Sequence, residues 1–121
     1  MEYESTVKMK SKVAEDVAYR IVRMSFGRRI ELTRRVRELA SRLGFLEAGD
    51  TPEERLEAAA IANEIERLYL EWGLCGIEGL TIDGKPATPE LLITCGPEDL
   101  CREIVEAIKA ECGLSEEERK N

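Results

Sequence analysis

The first apolar positions of the chain alternate with polar ones, which is the period of a half-buried strand. Two such runs lie between Thr6 and Met24, and Ala14–Asp16 between them is suited to a turn. A helix is the alternative, because four apolar residues also recur at helical spacing: Val13, Val17, Ile21 and Met24. The β-branched residues of the segment favour strands. The pattern therefore predicts an N-terminal hairpin within residues 1–24.

A helical period replaces the alternation after Met24. Ser25 is a typical N-cap residue, and the segment Phe26–Leu43 carries apolar residues every three or four positions. The predicted apolar stripe consists of Leu32, Val36, Leu39 and Leu43, with Ile30 beside it. Gly44 is expected to end this helix in the left-handed conformation, and residues 46–50 to form a short loop.

A second helix begins at the clearest start signal of the chain. Thr51 is placed to cap it, Pro52 occupies the first helical position, and Glu54 has the spacing of a capping box. The helix is predicted to run to about Trp72 and to end at Gly73. Its apolar stripe consists of Ile61, Ile65, Leu68 and Trp72.

Glycine and proline divide the rest of the chain into short elements. Residues 77–87 are predicted to form a hairpin, because Asp83-Gly84 favours a two-residue turn. Thr88-Pro89 begins a short helix through Ile93, and Gly96-Pro97 separates it from a helix that extends to about Cys112 and ends at Gly113. Residues 115–118 repeat the capping-box spacing, but so short a helix is marginal in water.

The predicted fold class is α+β: a mostly helical single domain with one or two small β-hairpins. The length of 121 residues is that of one domain. The single domain over residues 1–121 is divided into an N-terminal hairpin (1–24), a helical body with an inserted hairpin near 77–87 (25–113) and a tail (114–121).

The net charge of −7 is unevenly distributed. Residues 1–44 contain 11 Lys/Arg and 6 Asp/Glu, a net charge of +5, whereas residues 45–121 contain 7 and 19, a net charge of −12. An acidic protein is repelled by nucleic acid and by anionic lipid unless its basic part is segregated. The two halves either neutralise each other within one chain or allow association between copies.

The four cysteines, at positions 75, 95, 101 and 112, lack the close spacing of zinc ligands, and the chain has no histidine. No secretion signal or membrane-length apolar run is evident. We therefore expect a cytoplasmic location and no disulfides. The sequence thus predicts free thiols that are buried as small hydrophobic groups. Cys101 and Cys112 share a helical face with Ile104, Val105 and Ile108.

Catalytic chemistry has no recognisable signature in this chain. Histidine, the usual general base and the usual activator of serine or cysteine nucleophiles, is missing. No phosphate-binding glycine loop is present, and the paired carboxylates, such as Glu53 and Glu57, have the spacing of solvated helix faces. We expect no enzyme and no cofactor.

Binding is the remaining class of function, and the first predicted helix is its candidate element. It has five arginines that we predict to contact a partner: Arg28, Arg34, Arg35, Arg37 and Arg42. A nucleic-acid surface would also contain interleaved aromatic residues, whereas only Phe26 lies near these arginines. The composition therefore favours a protein partner or self-association over nucleic acid, and gives no reason to expect a membrane partner.

The order of motifs after residue 69 resembles small proteins of tailed-phage and prophage morphogenesis, in particular the tail assembly chaperones. The matching motifs are a Trp72-Gly73 turn, a hairpin centred on Asp83-Gly84-Lys85-Pro86, a Thr88-Pro89 helix start and the ending Gly113–Asn121. Residues 1–68 match only loosely, as a hairpin followed by a helix. No site residue of the family can be transferred, because these motifs are structural.

This resemblance implies a non-enzymatic helper in the cytoplasm of a bacterial host. Tail assembly chaperones are small, acidic and helix-rich, and they coat the long helical tape-measure protein before the tail tube forms around it. A longer form can arise by ribosomal frameshifting. The alternatives are a ring-forming neck or tail-completion protein of the virion, and a small nucleic-acid-binding protein.

We predict that all four cysteines are reduced and free of metal, because their spacing does not suit a zinc site. Elemental analysis of protein purified without added metal should find no zinc. About one zinc ion per chain would contradict this prediction.

Overall fold

The computed structural model describes residues 1–113, and within them the protein is α+β, with four helices and two small antiparallel sheets. The chain forms two compact units, which we call the sheet unit (residues 1–24 and the chain from Tyr69 onward) and the helical unit (Ser25–Leu68). In chain order the elements are β1 (Thr6–Lys10), β2 (Ala18–Val22), α1 (Phe26–Glu47), α2 (Pro52–Gly73), β3 (Leu74–Glu78), β4 (Thr81–Ile82), β5 (Lys85–Pro86), α3 (Pro89–Cys95) and α4 (Glu98–Glu111).

The predicted N-terminal hairpin is confirmed. Strands β1 and β2 pair antiparallel, with Lys8 opposite Arg20 and Met9 opposite Tyr19. Side chains two positions apart on a strand point to the same face of the sheet. Tyr19 and Ile21 of β2 share a face in this way, and both are almost fully buried. The helical alternative over residues 13–24 is therefore wrong.

Strand β3 was not anticipated from the sequence. It follows α2 with no intervening loop and pairs antiparallel with β2, which gives the sheet order β1-β2-β3. Residues 77 and 78, expected in a hairpin, belong to this strand. The hairpin itself is limited to β4 and β5, and it turns through Asp83 and Gly84, which have positive φ values of 50° and 79°.

Gly79, directly after β3, is required by a close backbone approach. Its φ is +83°, and a Cβ atom on this residue would overlap the carbonyl oxygen of Asp16. Asp16 itself has a φ of 64° in the β1–β2 turn. The end of β3 and this turn are therefore in direct contact, which only glycine permits.

The core of the sheet unit is formed by one face of α4. Four residues of this helix are almost fully buried: Leu100, Ile104, Val105 and Ile108. The helix lies against β2, and its Ile108 side chain lies so close to Gly73 that a Cβ atom there would be 2.9 Å from it. A larger residue at the end of α2 would displace this contact.

Glu103, on α4, holds the β1–β2 turn against the helix. Its Oε1 atom accepts hydrogen bonds from the amides of Lys12 (2.7 Å) and Val13 (3.1 Å) and from the Ser11 hydroxyl (3.3 Å). Residues about 90 positions apart in sequence are joined in this way.

In the helical unit, both predicted N-caps are confirmed. The Ser25 side chain accepts a hydrogen bond from the Arg28 amide at 3.2 Å. Thr51 and Glu54 form a capping box, in which the Glu54 amide donates to Thr51 Oγ1 at 3.1 Å and the Thr51 amide donates to Glu54 Oε1 at 3.3 Å. Thr88 caps α3 similarly.

The predicted end of α1 at Gly44 is wrong, because the helix continues to Glu47. Gly44 does not adopt the left-handed conformation. The last turn of the helix places the half-buried Leu46 on the same side as Leu43. A glycine within a helix costs roughly 0.5–1 kcal/mol relative to alanine, and the partial burial of Leu46 offsets this cost. Helix α4 ends at Glu111, close to its predicted end at Gly113, and Gly113 has a positive φ of 81°. The predicted start at residues 115–118 lies outside the described residues.

The predicted burial of the cysteines is only partly correct. Cys112 is buried and Cys101 is half-buried, whereas Cys75 and Cys95 are exposed. Cys75 lies on β3, and Cys95 is the last residue of α3. The sequence alone could not reveal that these elements turn both residues towards solvent.

We predict that Trp72→Ala lowers the free energy of unfolding by roughly 3–5 kcal/mol, because Trp72 is only 7% exposed, as its position on the α2 stripe indicated. Chemical denaturation monitored by circular dichroism measures the change. The emission maximum of the only tryptophan provides the check, since the maximum of a fully exposed indole in the native protein would contradict this packing.

We also predict a loss of stability at alkaline pH that depends on Tyr19. Burial raises the pKa of Tyr19 to about 12, and the neighbouring Glu103 carboxylate adds to the rise. The unfolded chain releases this proton at about pH 10, so the free energy of unfolding should fall by about 1–3 kcal/mol between pH 10 and 12. Tyr19→Phe should flatten that part of the profile, and an unchanged slope would show that other groups cause it.

Candidate functional site

The arginines of α1 differ in their surroundings. Arg35 pairs with Glu31 on the same helix at 3.7 Å, and Arg42 pairs with Glu57 on α2 at 3.6 Å. Arg28 is half-buried and lies one turn before the buried Leu32. The predicted partner-binding arginines are therefore not equivalent, and two of them already have a carboxylate partner within the chain.

Arg34 and Arg37 have neither an ion pair nor a side-chain hydrogen bond within residues 1–113, and both are exposed. Three positions apart on a helix, they lie on the same face. This face is opposite the half-buried side on which Leu32, Val36 and Leu39 lie.

The same outward face exposes large apolar side chains. Phe26 is 87% exposed, Phe45 78% and Ile30 45%. Together with the two arginines and Ser41 they recur at helical spacing, and we call this set the α1 stripe: Phe26, Ile30, Arg34, Arg37, Ser41 and Phe45. Scattered exposed hydrophobic residues are normal on a protein surface, but three aligned on one helix form a linear apolar surface.

Sequence reasoning identified the arginines of this face but not its apolar residues. The signal was present, because Phe26, Ile30 and Phe45 fall on a second face, away from the stripe of Leu32, Val36, Leu39 and Leu43. Ile30 was expected beside the buried stripe. The exposure of these residues could be established only from the structure.

A shallow open groove lies at the C-terminal end of the α1 stripe, entirely within the helical unit. It has a volume of about 390 Å³ and is lined by Ser41, Arg42, Phe45, Leu46 and Glu57. The groove combines an exposed aromatic ring with the Arg42–Glu57 ion pair. Its open, mixed surface suits a side chain of another protein better than an enclosed small molecule.

The exposed surface of α2 has the opposite charge. The helix contains six glutamates and two arginines, whereas α1 contains six arginines and three glutamates. Glu53 and Glu64 are exposed and have neither an ion pair nor a side-chain hydrogen bond in the part of the chain that the structure describes. Leu56, which is 73% exposed, and Ala60 lie between them, and we call these four residues the α2 flank.

The sheet unit has a second basic surface, on which two cations, Lys8 and Arg20, are engaged. Lys8 pairs with Glu78 at 3.0 Å, and Arg20 donates a hydrogen bond to Thr6 Oγ1 at 3.1 Å. The hollow between these side chains has a volume of about 170 Å³, and its lining includes Ala18 and Gly76. Because the cations are already partnered and the hollow is small, this surface is a weaker candidate than the α1 stripe.

The perturbed titratable groups are explained by packing. Burial, followed by the charge of Glu98, raises the pKa of the Cys101 thiol. Burial raises the pKa of Tyr69, whose ring also lies 5.4 Å from Lys109 Nζ. A raised thiol pKa lowers the fraction of reactive thiolate, so Cys101 lacks the electrostatics of a nucleophile.

Neither a metal site nor a membrane-spanning helix is present in the described part of the chain. Among residues 1–113, no three Cys, Asp or Glu side chains are grouped closely enough to hold a metal ion. None of the four helices is both long and apolar enough to cross a bilayer.

Comparison with known proteins gives no relative from which a site could be transferred. No protein-family model, no curated protein and no solved structure matches this chain. The assignment of function therefore depends on the surfaces described above.

Proposed function

We propose that this protein is a non-enzymatic helper that binds a helical protein partner, such as a tape-measure protein, during phage tail assembly in the bacterial cytoplasm. The observation that carries the proposal is the α1 stripe. It presents exposed apolar residues at both ends and, between them, Arg34 and Arg37 with no ion pair within residues 1–113.

The length and periodicity of the α1 stripe suit another helix. The stripe extends over 19 residue steps of one α-helix, from Phe26 to Phe45, which corresponds to about 29 Å. Amphipathic helices are recognised through apolar anchors one or two turns apart, which is the spacing of Phe26 and Ile30. The two phenylalanines provide large anchors, and the central arginines favour a partner with acidic residues at its middle.

The charge of the helical unit supports a protein partner over nucleic acid. In the α1 stripe, two arginines, Arg34 and Arg37, have no ion pair within residues 1–113, whereas α2 has a net charge of −4. A phosphate backbone requires many closely spaced cations, because its binding energy is dominated by the release of counterions. An acidic helix in the same unit opposes such binding.

We assign no reaction to this protein, because its sequence, and its structure over residues 1–113, offer no activated acid, base or nucleophile. The chain contains no histidine, the Cys101 thiol is disfavoured as a thiolate by burial, and Glu103 is occupied by hydrogen bonds to Lys12 and Val13. The resemblance of residues 69–121 to tail assembly chaperones supports the same kind of function, a binding helper.

The direct test combines the purified full-length chain with a fragment of the tape-measure protein and, separately, with duplex DNA. Sedimentation velocity at low and high salt should detect a complex with the fragment that weakens as salt rises. No complex with the fragment would contradict the proposal, and a complex with DNA alone would favour the nucleic-acid alternative.

We predict that Arg34→Glu with Arg37→Glu weakens binding to the tape-measure fragment by about tenfold or more, because both arginines would contact the partner. The stability of the protein should change by less than about 1 kcal/mol, since exposed charges contribute little to folding. Titration of fluorescently labelled fragment measures the affinity, and thermal unfolding measures the stability.

The matched control is Arg35→Glu with Arg102→Glu, which makes the same change in net charge. Arg35 pairs with Glu31, and Arg102 on α4 pairs with Glu98 at 3.5 Å. Neither arginine belongs to the α1 stripe or lines the groove beside it. The control should bind the fragment like the wild type despite a small loss of stability. Equal weakening by both double variants would mean that only net charge matters, and that the α1 stripe is not a specific site.

A further inference from the structure

We propose that copies of this protein associate through a heterologous contact, in which the α1 stripe of one copy docks on the α2 flank of the next. The inference goes beyond the binding of a partner, because it requires only this chain. It assigns a role to the α2 flank, which the proposed function does not use, and it makes a second copy compete with the partner helix for the α1 stripe.

Charge complementarity identifies a second copy as the occupant. The α1 stripe has two arginines without a carboxylate partner in residues 1–113, and the α2 flank has two glutamates in the same condition. Net charges of +3 on α1 and −4 on α2 extend this complementarity along both helices. The helical unit thus presents a basic and an acidic surface on different helices, which attract each other between copies.

The apolar side chains of the two surfaces also match in size. The α1 stripe offers the large side chains of Phe26, Ile30 and Phe45, whereas the α2 flank offers the exposed Leu56 and the small Ala60. Small residues on one helix allow a second helix with bulky side chains to approach closely. Contact would remove from water the apolar groups that are most exposed in the helical unit.

A symmetric contact between two α1 stripes is disfavoured. It would place Arg34 and Arg37 of both copies on the same interface, where like charges repel. A contact of α1 with α2 pairs opposite charges instead. Because its two sides differ, each copy keeps one unused surface, so association can continue beyond a dimer.

The test uses sedimentation velocity of the full chain and two charge-reversal variants. The wild type should form larger species as its concentration rises from about 1 μM towards about 1 mM, and less so at high salt. Arg34→Glu with Arg37→Glu and, separately, Glu53→Lys with Glu64→Lys should each associate roughly tenfold or more weakly. Circular dichroism confirms that both variants are folded.

The decisive experiment is a mixture of the two variants. The first retains an intact α2 flank and the second an intact α1 stripe, so equimolar mixing should restore association. Arg35→Glu with Arg102→Glu, the matched control, changes residues outside the α1 stripe and the α2 flank and should associate like the wild type.

Three results would overturn the inference: a wild type that remains monomeric at every concentration, a mixture that remains monomeric, or a Glu53/Glu64 variant that associates like the wild type. The proposed function is judged separately. Fragment binding by a monomeric wild type overturns only the contact between copies, whereas self-association without fragment binding overturns only the proposed function.

Discussion

The burial of one face of α4 against the three-stranded sheet is the contact on which the sheet unit depends. Leu100, Ile104 and Ile108 are fully buried and Val105 is 2% exposed, and the helix lies against the central strand β2. Since β2 is the central strand, paired with β1 on one side and β3 on the other, loss of this helix would uncover the buried face at the centre of the sheet. Glu103 then fixes the β1–β2 turn to the same helix.

This arrangement makes the helical unit an insertion in the sheet unit. The chain leaves the sheet unit after Met24 and returns at Tyr69, between the neighbouring strands β2 and β3. The exposed residues of α1 and of α2 up to Leu68 belong to the helical unit and are not part of the core of the sheet unit. They can therefore include exposed phenylalanines and unpaired charges, which would be destabilising in a core.

The exposed faces of α1 and α2 contain both charges that form ion pairs within the chain and charges that do not. Arg35 and Arg42 have carboxylate partners in the chain, but such exposed pairs contribute only about 0–1 kcal/mol to folding. Arg34, Arg37, Glu53 and Glu64 remain solvated within the described residues. Electrostatic attraction at such positions affects recognition and orientation more than stability, and the proposed contacts rest on these four residues.

Local signals in the sequence determined most of the elements. The caps at Ser25, Thr51 and Thr88, the Asp83-Gly84 turn and the end of α4 near Gly113 were all predictable, because each depends on hydrogen bonds or dihedral angles within a few residues. The amphipathic pattern of α4 identified its buried face for the same reason. The wrong end of α1 at Gly44 shows the limit of such signals, since a single glycine is outweighed by packing beyond it.

Only the tertiary structure decided the contacts between distant segments. The pairing of β3 with β2 joins residues more than 50 positions apart, for instance Tyr19 with Ile77, and no local pattern specifies it. The same is true of the α1 stripe: composition revealed the arginines, but the positions of Glu31 and Glu57 in space determined which were neutralised. Whether an arginine is available to a partner depends on its neighbours in three dimensions, and these follow from the packing of the whole chain.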